Sequence, residues 1–319
     1  MQRKTRRLIK ATAVLFAAIA LVYTVGGSFY MYHFALEDMS GKDMKQSWLR
    51  LASDYPHVKA WADSLQREGL LRDTTMITGD GRRLHALYAH ANEKTPYTAM
   101  IIHGYTCNSV IYLYMGYMFR ESLGYNIFLP DLHGHGLSDG DEIHMGWKDA
   151  DDVMTWLPVC NELFRDSTDT RMVLHGTSMG GATVMNVSGL KTPNYVRGFI
   201  EDSGYTSVWD EFKYELKEQF GLPAFPILHA CSMLTSCRDG WSFIEAAPIE
   251  RLKTSEKPML FIHSDSDTFV PSWMASPLYE AKKGQKDRWT VPGSAHAEAY
   301  KDYPKEYTAR VKNYLEKIM

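Results

Sequence analysis

The chain has 319 residues, of which 45% are hydrophobic and 23% are charged. These values are typical of a globular protein, and they exclude a disordered chain, a collagen-like repeat and a small disulfide scaffold. The formal net charge of −3 argues against nucleic acid as the main partner. Five positive charges and no acidic residue stand within residues 1–10, so the remainder of the chain carries a net charge of −8.

An uncharged apolar segment, residues 11–32, follows this basic N-terminus. As a helix it would be about 33 Å long, enough to cross a bilayer core of about 30 Å. Positive charge before the segment and acidic residues after it predict a single membrane span, with the N-terminus in the cytoplasm and the rest outside, periplasmic or extracellular. Tyr23, Tyr30 and Tyr32 are expected at the far interface. The alternative is a signal peptide whose removal gives a secreted protein.

The next part of the chain reads first as helix and then as alternating strands and helices. Residues 42–72 have a helical pattern with a break near Pro56, and GDGR at 79–82 predicts a hairpin turn between the first two strands. The strand candidates are residues 73–78, 84–91, 98–103, 125–130, 171–175, 197–202, 258–263 and 287–291. The helix candidates among the later strands are residues 109–122, 146–165, 179–190, 272–284 and 303–318. This order predicts a mostly parallel eight-stranded sheet flanked by helices.

Residues 204–250 interrupt this alternation, because they form a longer connection than one crossover helix needs. Their aromatic-rich helical pieces predict a small helical cap inserted over the C-terminal edge of the sheet, where ligands of such sheets bind. The expected organisation is a cytoplasmic basic tip and transmembrane anchor in residues 1–35, a helical neck in 36–72, and one α/β domain with the cap in 73–319.

A candidate nucleophile follows the strand at 171–175. The sequence HGTSMGG at 175–181 contains a G-x-S-x-G motif between a strand and a helix. In such a motif the Ser occupies a sharp, strained turn that lifts its hydroxyl above the sheet, and the flanking Gly residues let the helix pass close to the strand. This placement makes Ser178 the candidate nucleophile.

A Ser hydroxyl needs a general base, and the base needs an acid that fixes its tautomer. After such a turn the chain order is Ser, acid, His. If the acid lies in residues 258–271, the one His that follows it is His296, between the last strand and the last helix. The candidate acids are Asp265, Asp267 and Asp202, each at or just after the end of a strand.

Two backbone N–H groups are expected to bind the negative charge that develops on the substrate oxygen, forming an oxyanion hole. One belongs to Met179, the residue after the nucleophile, and the other is assigned to Tyr105 in the loop after the third strand. Because the donor is a backbone group, Tyr105→Ala is expected to leave it in place and mainly to alter the pocket. Tyr105, Tyr112 and Met115 are candidate pocket residues, although a Tyr- and Met-rich stripe at helical spacing is more often core packing.

Together these motifs resemble those of the α/β-hydrolase superfamily, from about residue 73 to the C-terminus. They are HGYT at 103–106, DLHGHGLSDG at 131–140, HGTSMGG at 175–181, HSDSDTFVP at 263–271 and GSAHAE at 293–298. In similar hydrolases the acid is the fifth residue of an H-G-x-x-D-x-x-V-P stretch, which implies Asp267 here, with Ser264 in place of the usual Gly. The chain is most similar to the serine aminopeptidase (S33) or lysophospholipase-like branch, which has membrane-anchored bacterial members.

The resemblance implies an α/β-hydrolase fold and a serine hydrolase with a triad of Ser178, Asp267 and His296, acting through an acyl-enzyme without a cofactor. The expected substrate is a small-molecule carboxylic ester (EC 3.1.1), and the alternative is a peptide or amide (EC 3.4). A non-catalytic anchored binding protein with the same fold is the hypothesis from a different class. The acyl chain length and the oligomeric state are left open.

The remaining His and Cys residues have simpler interpretations than metal binding. His133, His135 and His144 lie in or just after a Gly-rich stretch that is typical of a turn, and no Cys/His spacing typical of zinc is present, so no metal is expected. Export would permit a disulfide between Cys231 and Cys237, and free thiols are the alternative.

Overall fold

The computed structural model describes residues 2–319; Met1, which belongs to the predicted N-terminal range 1–35, lies outside the described residues. The centre is an eight-stranded sheet with the strand order β1-β2-β4-β3-β5-β6-β7-β8. The strands are β1 Arg72–Ile77, β2 Arg83–Ala89, β3 Tyr97–Ile102, β4 Asn126–Pro130, β5 Arg171–Thr177, β6 Val196–Asp202, β7 Met259–Ser264 and β8 Lys286–Val291. The β1–β2 and β2–β4 pairs are antiparallel and the other pairs are parallel. The predicted sheet with its opening hairpin is confirmed.

The central strands are buried, which explains their nearly continuous apolar sequences. Every residue of β7 is buried, and so is every residue of β5 after the half-buried Arg171. The edge strand β1 instead consists of exposed and half-buried residues. The helices therefore cover the centre of the sheet and leave β1 at a solvated edge.

The helices lie on both faces of the sheet, and three of them precede its first strand. They are α1 Gln2–Leu36, α2 Met44–Asp54, α3 Pro56–Arg67, α4 Leu113–Tyr117, α5 Asp149–Phe164, α6 Met179–Ser188, α7 Val208–Phe220, α8 Ile227–Asp239, α9 Pro248–Leu252, α10 Ala275–Ala281, α11 Ala299–Asp302 and α12 Pro304–Ile318. Pro56 is the first residue of α3, a position at which a backbone N–H would have no acceptor within the helix. Proline therefore costs no hydrogen bond there, and the predicted break falls between α2 and α3.

One predicted helix is shorter than expected. The pattern over 109–122 predicted a continuous helix, but α4 begins at Leu113 and passes into a π-helical turn after Tyr117. The N–H groups of Val110 and Ile111 donate to the side-chain oxygen of Asn108 instead of initiating a helix. A side chain that accepts such hydrogen bonds competes with the helical pattern.

Helix α1 contains the predicted membrane span. It is long and apolar enough to cross a membrane by length and composition, properties that an N-terminal signal sequence would share. The side chains of residues 3–23 are exposed. Only the last turns of α1 therefore contact the rest of the protein, and they do so mainly against α8.

Tyr32 does not lie at a membrane interface. It is 1% exposed, and its hydroxyl donates a hydrogen bond of 2.7 Å to Oδ2 of Asp239 at the end of α8. The helices approach closely at Gly27, where a Cβ would lie 3.0 Å from Cδ1 of Ile227. The interface expectation for Tyr32 is wrong, because residues 204–250, here called the cap, supply an acceptor for its hydroxyl within the protein.

The cap lies between β6 and β7 and is built on α7 and α8. Ser207 caps α7 by accepting a hydrogen bond from the N–H of Asp210. Both helices end at glycines in the left-handed conformation, Gly221 and Gly240, which stop them without strain. The cap therefore contains two well-terminated helices where the sequence predicted helical pieces.

The four cysteines are free thiols. Cys231 is buried and Cys237 is exposed, and both lie on α8. Six residues of helix separate them by about 9 Å along the axis, beyond the roughly 7 Å that a disulfide spans between Cα atoms. The disulfide considered from the sequence is therefore not formed.

Candidate active site

Ser178 stands between β5 and α6 with φ 59° and ψ −119°, a conformation that is rare for a residue with a side chain. The neighbouring glycines allow this turn. A Cβ on Gly176 would lie 2.0 Å from the carbonyl oxygen of Gly180, and a Cβ on Gly180 would lie 2.2 Å from that of Ile102. The glycines of the motif are thus required by close backbone contact, and they let the chain present Ser178 at the end of the strand.

Three side chains expected from the sequence form one line of hydrogen bonds. Nε2 of His296 lies 2.8 Å from Oγ of Ser178, and Nδ1 lies 2.7 Å from Oδ2 of Asp267. Because an ionised carboxylate only accepts, Nδ1 carries the proton and Nε2 is the acceptor for the Ser hydroxyl. The imidazole side chain is 18% exposed, so it lies at an accessible point of the protein. This geometry is that of a nucleophile, a base and an orienting acid.

Asp267 is buried after β7, and its two oxygens have different partners. Oδ1 accepts hydrogen bonds of 3.0 Å from the N–H groups of Phe269 and Val270, while Oδ2 faces His296. The backbone donors therefore fix the carboxylate and leave one oxygen for the imidazole. His263 also lies near this carboxylate, but its Nε2 donates to the carbonyl of Val270, and burial lowers its pKa.

The other two candidate acids have different partners. Asp265 is exposed and accepts a backbone hydrogen bond from the loop after β8. Asp202 is buried, accepts a 2.9 Å hydrogen bond from the hydroxyl of Tyr307, and has its pKa raised to about 6 by burial. Within residues 2–319, Asp267 is the carboxylate hydrogen-bonded to His296. The geometry favours Asp267.

A second buried network lies behind the nucleophile. Nε2 of His175 donates to the hydroxyl of Tyr307 over 2.7 Å, because that hydroxyl uses its single proton on Asp202. Burial lowers the pKa of His175 to about 3, which keeps the imidazole neutral. The carbonyl of Asp202 accepts the N–H of Ser178 over 2.7 Å. The network therefore ties the ends of β5 and β6 together at the nucleophile.

The two backbone N–H groups predicted to form an oxyanion hole lie beside Ser178. Met179 is the first residue of α6, where an N–H has no acceptor within the helix. Tyr105 follows Gly104, and a Cβ on that glycine would lie 3.4 Å from Cβ of Ser178. Within residues 2–319, neither N–H donates a hydrogen bond to the protein. Both donors are available, and their catalytic role stays a prediction.

Two cavities meet at Ser178. A cleft of about 520 Å³ has a mixed polar and apolar lining, and it is here called the polar cleft because it contains His296 and the charged side chains of Arg50 and Lys301. A narrower cavity of about 70 Å³ is mainly apolar. Its apolar lining includes Phe34, Ala35, Phe212, Phe220 and Phe269.

The three predicted pocket residues have different positions. Tyr105 lines both cavities, and Tyr112 lines the polar cleft. Met115 is fully buried in the hydrophobic core between α4 and the sheet and lines neither cavity. The prediction that Met115 contacts substrate is wrong, because its face of α4 packs against the sheet.

Several cavity residues were not predicted from the sequence. Glu211 and Glu215 of α7 line the apolar cavity. Burial raises the pKa of both carboxyls, that of Glu211 well above its usual range, and Oε2 of Glu211 has no hydrogen-bond partner among the described residues. Phe34 and Ala35 come from the end of α1. No local motif marks these side chains, because a long-range packing arrangement brings them to Ser178.

A cluster of His133, Glu142 and His144 lies apart from this line. Nε2 of each imidazole is 3.3–3.4 Å from Oε1 of Glu142, and the two rings stack with centroids 4.1 Å apart. Arg82 donates to Nδ1 of His133, so the proton of that ring is on Nε2. Burial lowers the pKa of His144 to about 4. A protonated Nε2 of His133 has no free lone pair for a metal ion, so the three side chains as they stand are not a set of converging metal ligands.

Residues 94–225 match a family model described as serine aminopeptidase, S33, and this match spans less than half of the chain. The uncharacterized Bacillus subtilis protein YqkD is similar, with 29% identity over 233 residues, 72% of this chain and 75% of its own length.

Solved structures resemble this one at low sequence identity. An esterase of Pyrococcus furiosus has a TM-score of 0.63 and 20% identity, over 80% of this chain and 96% of its own. The acylaminoacyl peptidase of Pyrococcus horikoshii has a TM-score of 0.54 and 16% identity, over 77% of this chain and 41% of its own. These similarities establish the fold.

The sheet topology and the solved structures define the fold as that of the α/β-hydrolases. Residues 94–225 are similar to the serine aminopeptidase family of this fold.

Proposed function

We propose that this protein cleaves a carboxylic ester through a triad of Ser178, His296 and Asp267. The observation that carries the proposal is the unbroken line from Ser178 Oγ to Asp267 Oδ2, with hydrogen bonds of 2.8 Å and 2.7 Å through the imidazole. A hydroxyl bonded to the unprotonated nitrogen of an oriented imidazole is the arrangement that general-base attack requires. The match of residues 94–225 to the serine aminopeptidase family supports the proposal.

The reaction follows from these positions. Oγ of Ser178 attacks the acyl carbon while Nε2 of His296 takes the hydroxyl proton, and Asp267 stabilises the imidazolium. The N–H groups of Met179 and Tyr105 hold the negative oxygen of the tetrahedral intermediate. His296 then gives the proton to the departing alkoxide, which leaves an acyl-Ser178. Water attacks this acyl group with His296 again as base, and the acid is released without a cofactor.

The two cavities suggest where the acyl group and the alcohol part of an ester bind. The apolar cavity suits the acyl group, and the polar cleft suits the alcohol part. A peptidase of the serine aminopeptidase type is the second candidate, favoured by Glu211 and Glu215, because a carboxylate there would pair with a substrate ammonium group. Burial raises the pKa of both carboxyls, which favours their neutral forms and weakens such pairing. The ester is therefore the better fit.

We also propose that α1 anchors the protein in a membrane, with the basic residues of the helix start in the cytoplasm and the catalytic domain outside. The exposed apolar side chains of α1 and the five positive charges in residues 1–10 support this arrangement. The division into anchor (1–35), neck (36–72) and hydrolase domain (73–319) belongs to the same proposal. Secretion after cleavage is the alternative.

The substrate class is tested by comparing p-nitrophenyl butyrate with alanyl-p-nitroanilide for the full chain in detergent. We expect kcat/KM for the ester to exceed that for the anilide at least about 100-fold, and Ser178→Ala to abolish ester cleavage. Preference for the anilide, with a further loss in Glu211→Gln, would establish the peptidase alternative. Cleavage of neither compound would support the non-catalytic binding protein.

A further inference from the structure

The end of α1 is part of the wall around the candidate nucleophile. Phe34 and Ala35 line the apolar cavity together with Ser178. The carbonyl of Ala35 also accepts a 3.0 Å hydrogen bond from the hydroxyl of Tyr105, the residue whose N–H is a candidate oxyanion donor. The helix therefore contacts both the acyl cavity and the oxyanion loop directly.

Polar contacts with the cap fix this end of α1. Tyr32 donates to Asp239 over 2.7 Å, and the guanidinium of Arg238 lies 4.4 Å from the centroid of the Tyr32 ring. Arg238 also forms an ion pair of 3.1 Å with Glu37, and the carbonyl of Leu36 accepts a backbone hydrogen bond from the loop after β4. The end of α1 is thus a packed element of the catalytic domain and differs from a flexible tether.

An aromatic track connects the cavity with the exposed part of α1. The ring of Phe220, at the end of α7, meets Phe34 edge-on at 5.5 Å and Tyr30 edge-on at 6.3 Å, and Tyr30 and Phe34 stack at 6.1 Å. Phe34 is 45% exposed and Tyr30 is 57% exposed, so the track is open toward the surroundings of α1. It leads from Ser178 toward the apolar stretch of α1.

We propose that α1 is a wall of the acyl-binding site and that the substrate is an acyl ester held in the same membrane as α1. Its chain lies along Tyr30, Phe34 and Phe220, its carbonyl stands at Ser178, and its alcohol part occupies the polar cleft. A chain that moves from the bilayer onto this track exchanges one apolar environment for another, so little apolar surface meets water. This inference rests on the proposed function: the ester C–O bond breaks, the acyl group passes to Ser178 and then to water, and the alkoxide takes the proton.

The proposed wall of the acyl-binding site is tested by the variant Phe34→Ala. The matched control is Phe29→Ala, because Phe29 lies on the same helix and does not line the cavity. The substrates are p-nitrophenyl acetate and p-nitrophenyl laurate, with the full chain in detergent. We expect Phe34→Ala to lower the laurate-to-acetate ratio of kcat/KM roughly tenfold, because a long chain loses more contact area with the ring than an acetyl group does, and we expect Phe29→Ala to keep the wild-type ratio. The proposal that α1 forms a wall of the site is wrong if this ratio stays at the wild-type value or rises in Phe34→Ala. It is also wrong if the ratio falls equally in Phe29→Ala.

Entry of the substrate from the membrane is tested with the full chain in phosphatidylcholine vesicles and fluorescein dipalmitate as a membrane-bound ester. We expect hydrolysis to be at least about tenfold faster when the ester is in the vesicles that hold the protein than when it is in separate vesicles. Equal rates of hydrolysis in the two arrangements would show that the acyl chain does not enter from the membrane that holds the protein. Protein that does not float with the vesicles would show the same.

Ser178→Ala separates this inference from the proposed function. If wild type and Ser178→Ala cleave acetate equally, the proposed function fails. If acetate cleavage requires Ser178 while the laurate-to-acetate ratio is insensitive to Phe34, the inference alone fails.

Discussion

At the scale of single residues, the candidate site depends on groups that are fixed before any substrate arrives. The backbone holds Ser178 in a strained turn, and two N–H groups hold one oxygen of Asp267, so that the other oxygen orients His296. Fixed dipoles and donors act on the transition state without the cost of reorganisation. The roles proposed for these residues are therefore separable by conservative substitutions.

The role of Asp267 is tested by Asp267→Asn, with Asp265→Asn as the matched control two residues away. An amide next to Nδ1 favours the wrong imidazole tautomer, so we expect kcat to fall by about 10³–10⁴ in Asp267→Asn. Asp265 accepts a backbone N–H, a role that an amide oxygen also fills, so its variant is expected to retain activity within about threefold. Ester kinetics on both purified variants measure this difference. Similar losses in the two variants would show that a general effect on folding, and not the triad, is responsible.

At the scale of elements, the carboxyl ends of parallel strands bring distant parts of the chain together. Ser178 follows β5, Asp267 follows β7 and His296 follows β8. The strands are rigid and buried, whereas the loops after them carry the functional groups. The close approach of α6 to β5 and β3 sets the position of the nucleophile.

This close approach is tested at two neighbouring glycines. A Cβ on Gly180 would lie 2.2 Å from a backbone carbonyl oxygen, which forces α6 away from the sheet, whereas a Cβ on Gly181 would lie 3.2 Å from its nearest neighbour. We expect Gly180→Ala to lose ester hydrolysis by at least about 100-fold and to unfold at lower temperature than Gly181→Ala. Activity and thermal unfolding of both variants measure this, and equal behaviour would contradict the packing argument.

The start of α5 gives a prediction for pH and stability. Asp149 is fully buried, and burial together with nearby Asp152 raises its pKa to about 7. Because the folded state holds this proton more tightly than the unfolded state, the contributed stability is present at low pH and is lost as pH rises through about 7. Asp149→Asn removes that loss, so we expect its Tm relative to wild type to increase by about 3 °C or more between pH 5.5 and pH 8.5. The exposed Asp151→Asn is the control, and a parallel pH trend in both variants would contradict the assignment.

At the scale of the whole molecule, α1 and the cap share one packing arrangement with the catalytic domain. The helix that carries the apolar stretch ends beside Ser178, and the cap holds that end through Tyr32 and Arg238. In this account, anchoring and substrate binding are properties of the same helix. Both properties require that α1 remains attached in the mature protein.

Retention of α1 is tested by the intact mass of the protein purified from membranes. We expect a mass that includes the N-terminal helix, and release from the membrane by detergent and not by high salt, because apolar contact with lipid holds a spanning helix. A mature N-terminus near residues 27–35 would remove the span, would separate Phe34 from any membrane anchor, and would establish the secreted alternative.

The sequence was sufficient for features set by local pattern and insufficient for those set by tertiary contacts. All eight strands were predicted to within about two residues, because buried apolar runs between turn signals define them. The start of α4 was misplaced because Asn108 captures the N–H groups of the expected first turn. The burial of Tyr32 depends on Asp239, 207 residues away, which no local pattern reveals.

In the candidate site, too, some residues were predicted from the sequence and others were found only in the structure. Ser178 was named from a local motif and His296 from its position as the one His after the acid, whereas Asp267 needed the resemblance to a family. Glu211 and Phe34 reach the cavity through the packing of the cap and α1, so they were found only in the structure.

The most direct test of the central claim is labelling of the full chain with a fluorophosphonate probe, followed by mass spectrometry of the modified peptide. The account predicts one adduct on Ser178, no labelling of Ser178→Ala, and wild-type labelling of Ser188→Ala, a serine on the same helix whose hydroxyl bonds to a backbone carbonyl. Labelling of wild type no stronger than that of Ser178→Ala, or an adduct on another serine, would contradict the account.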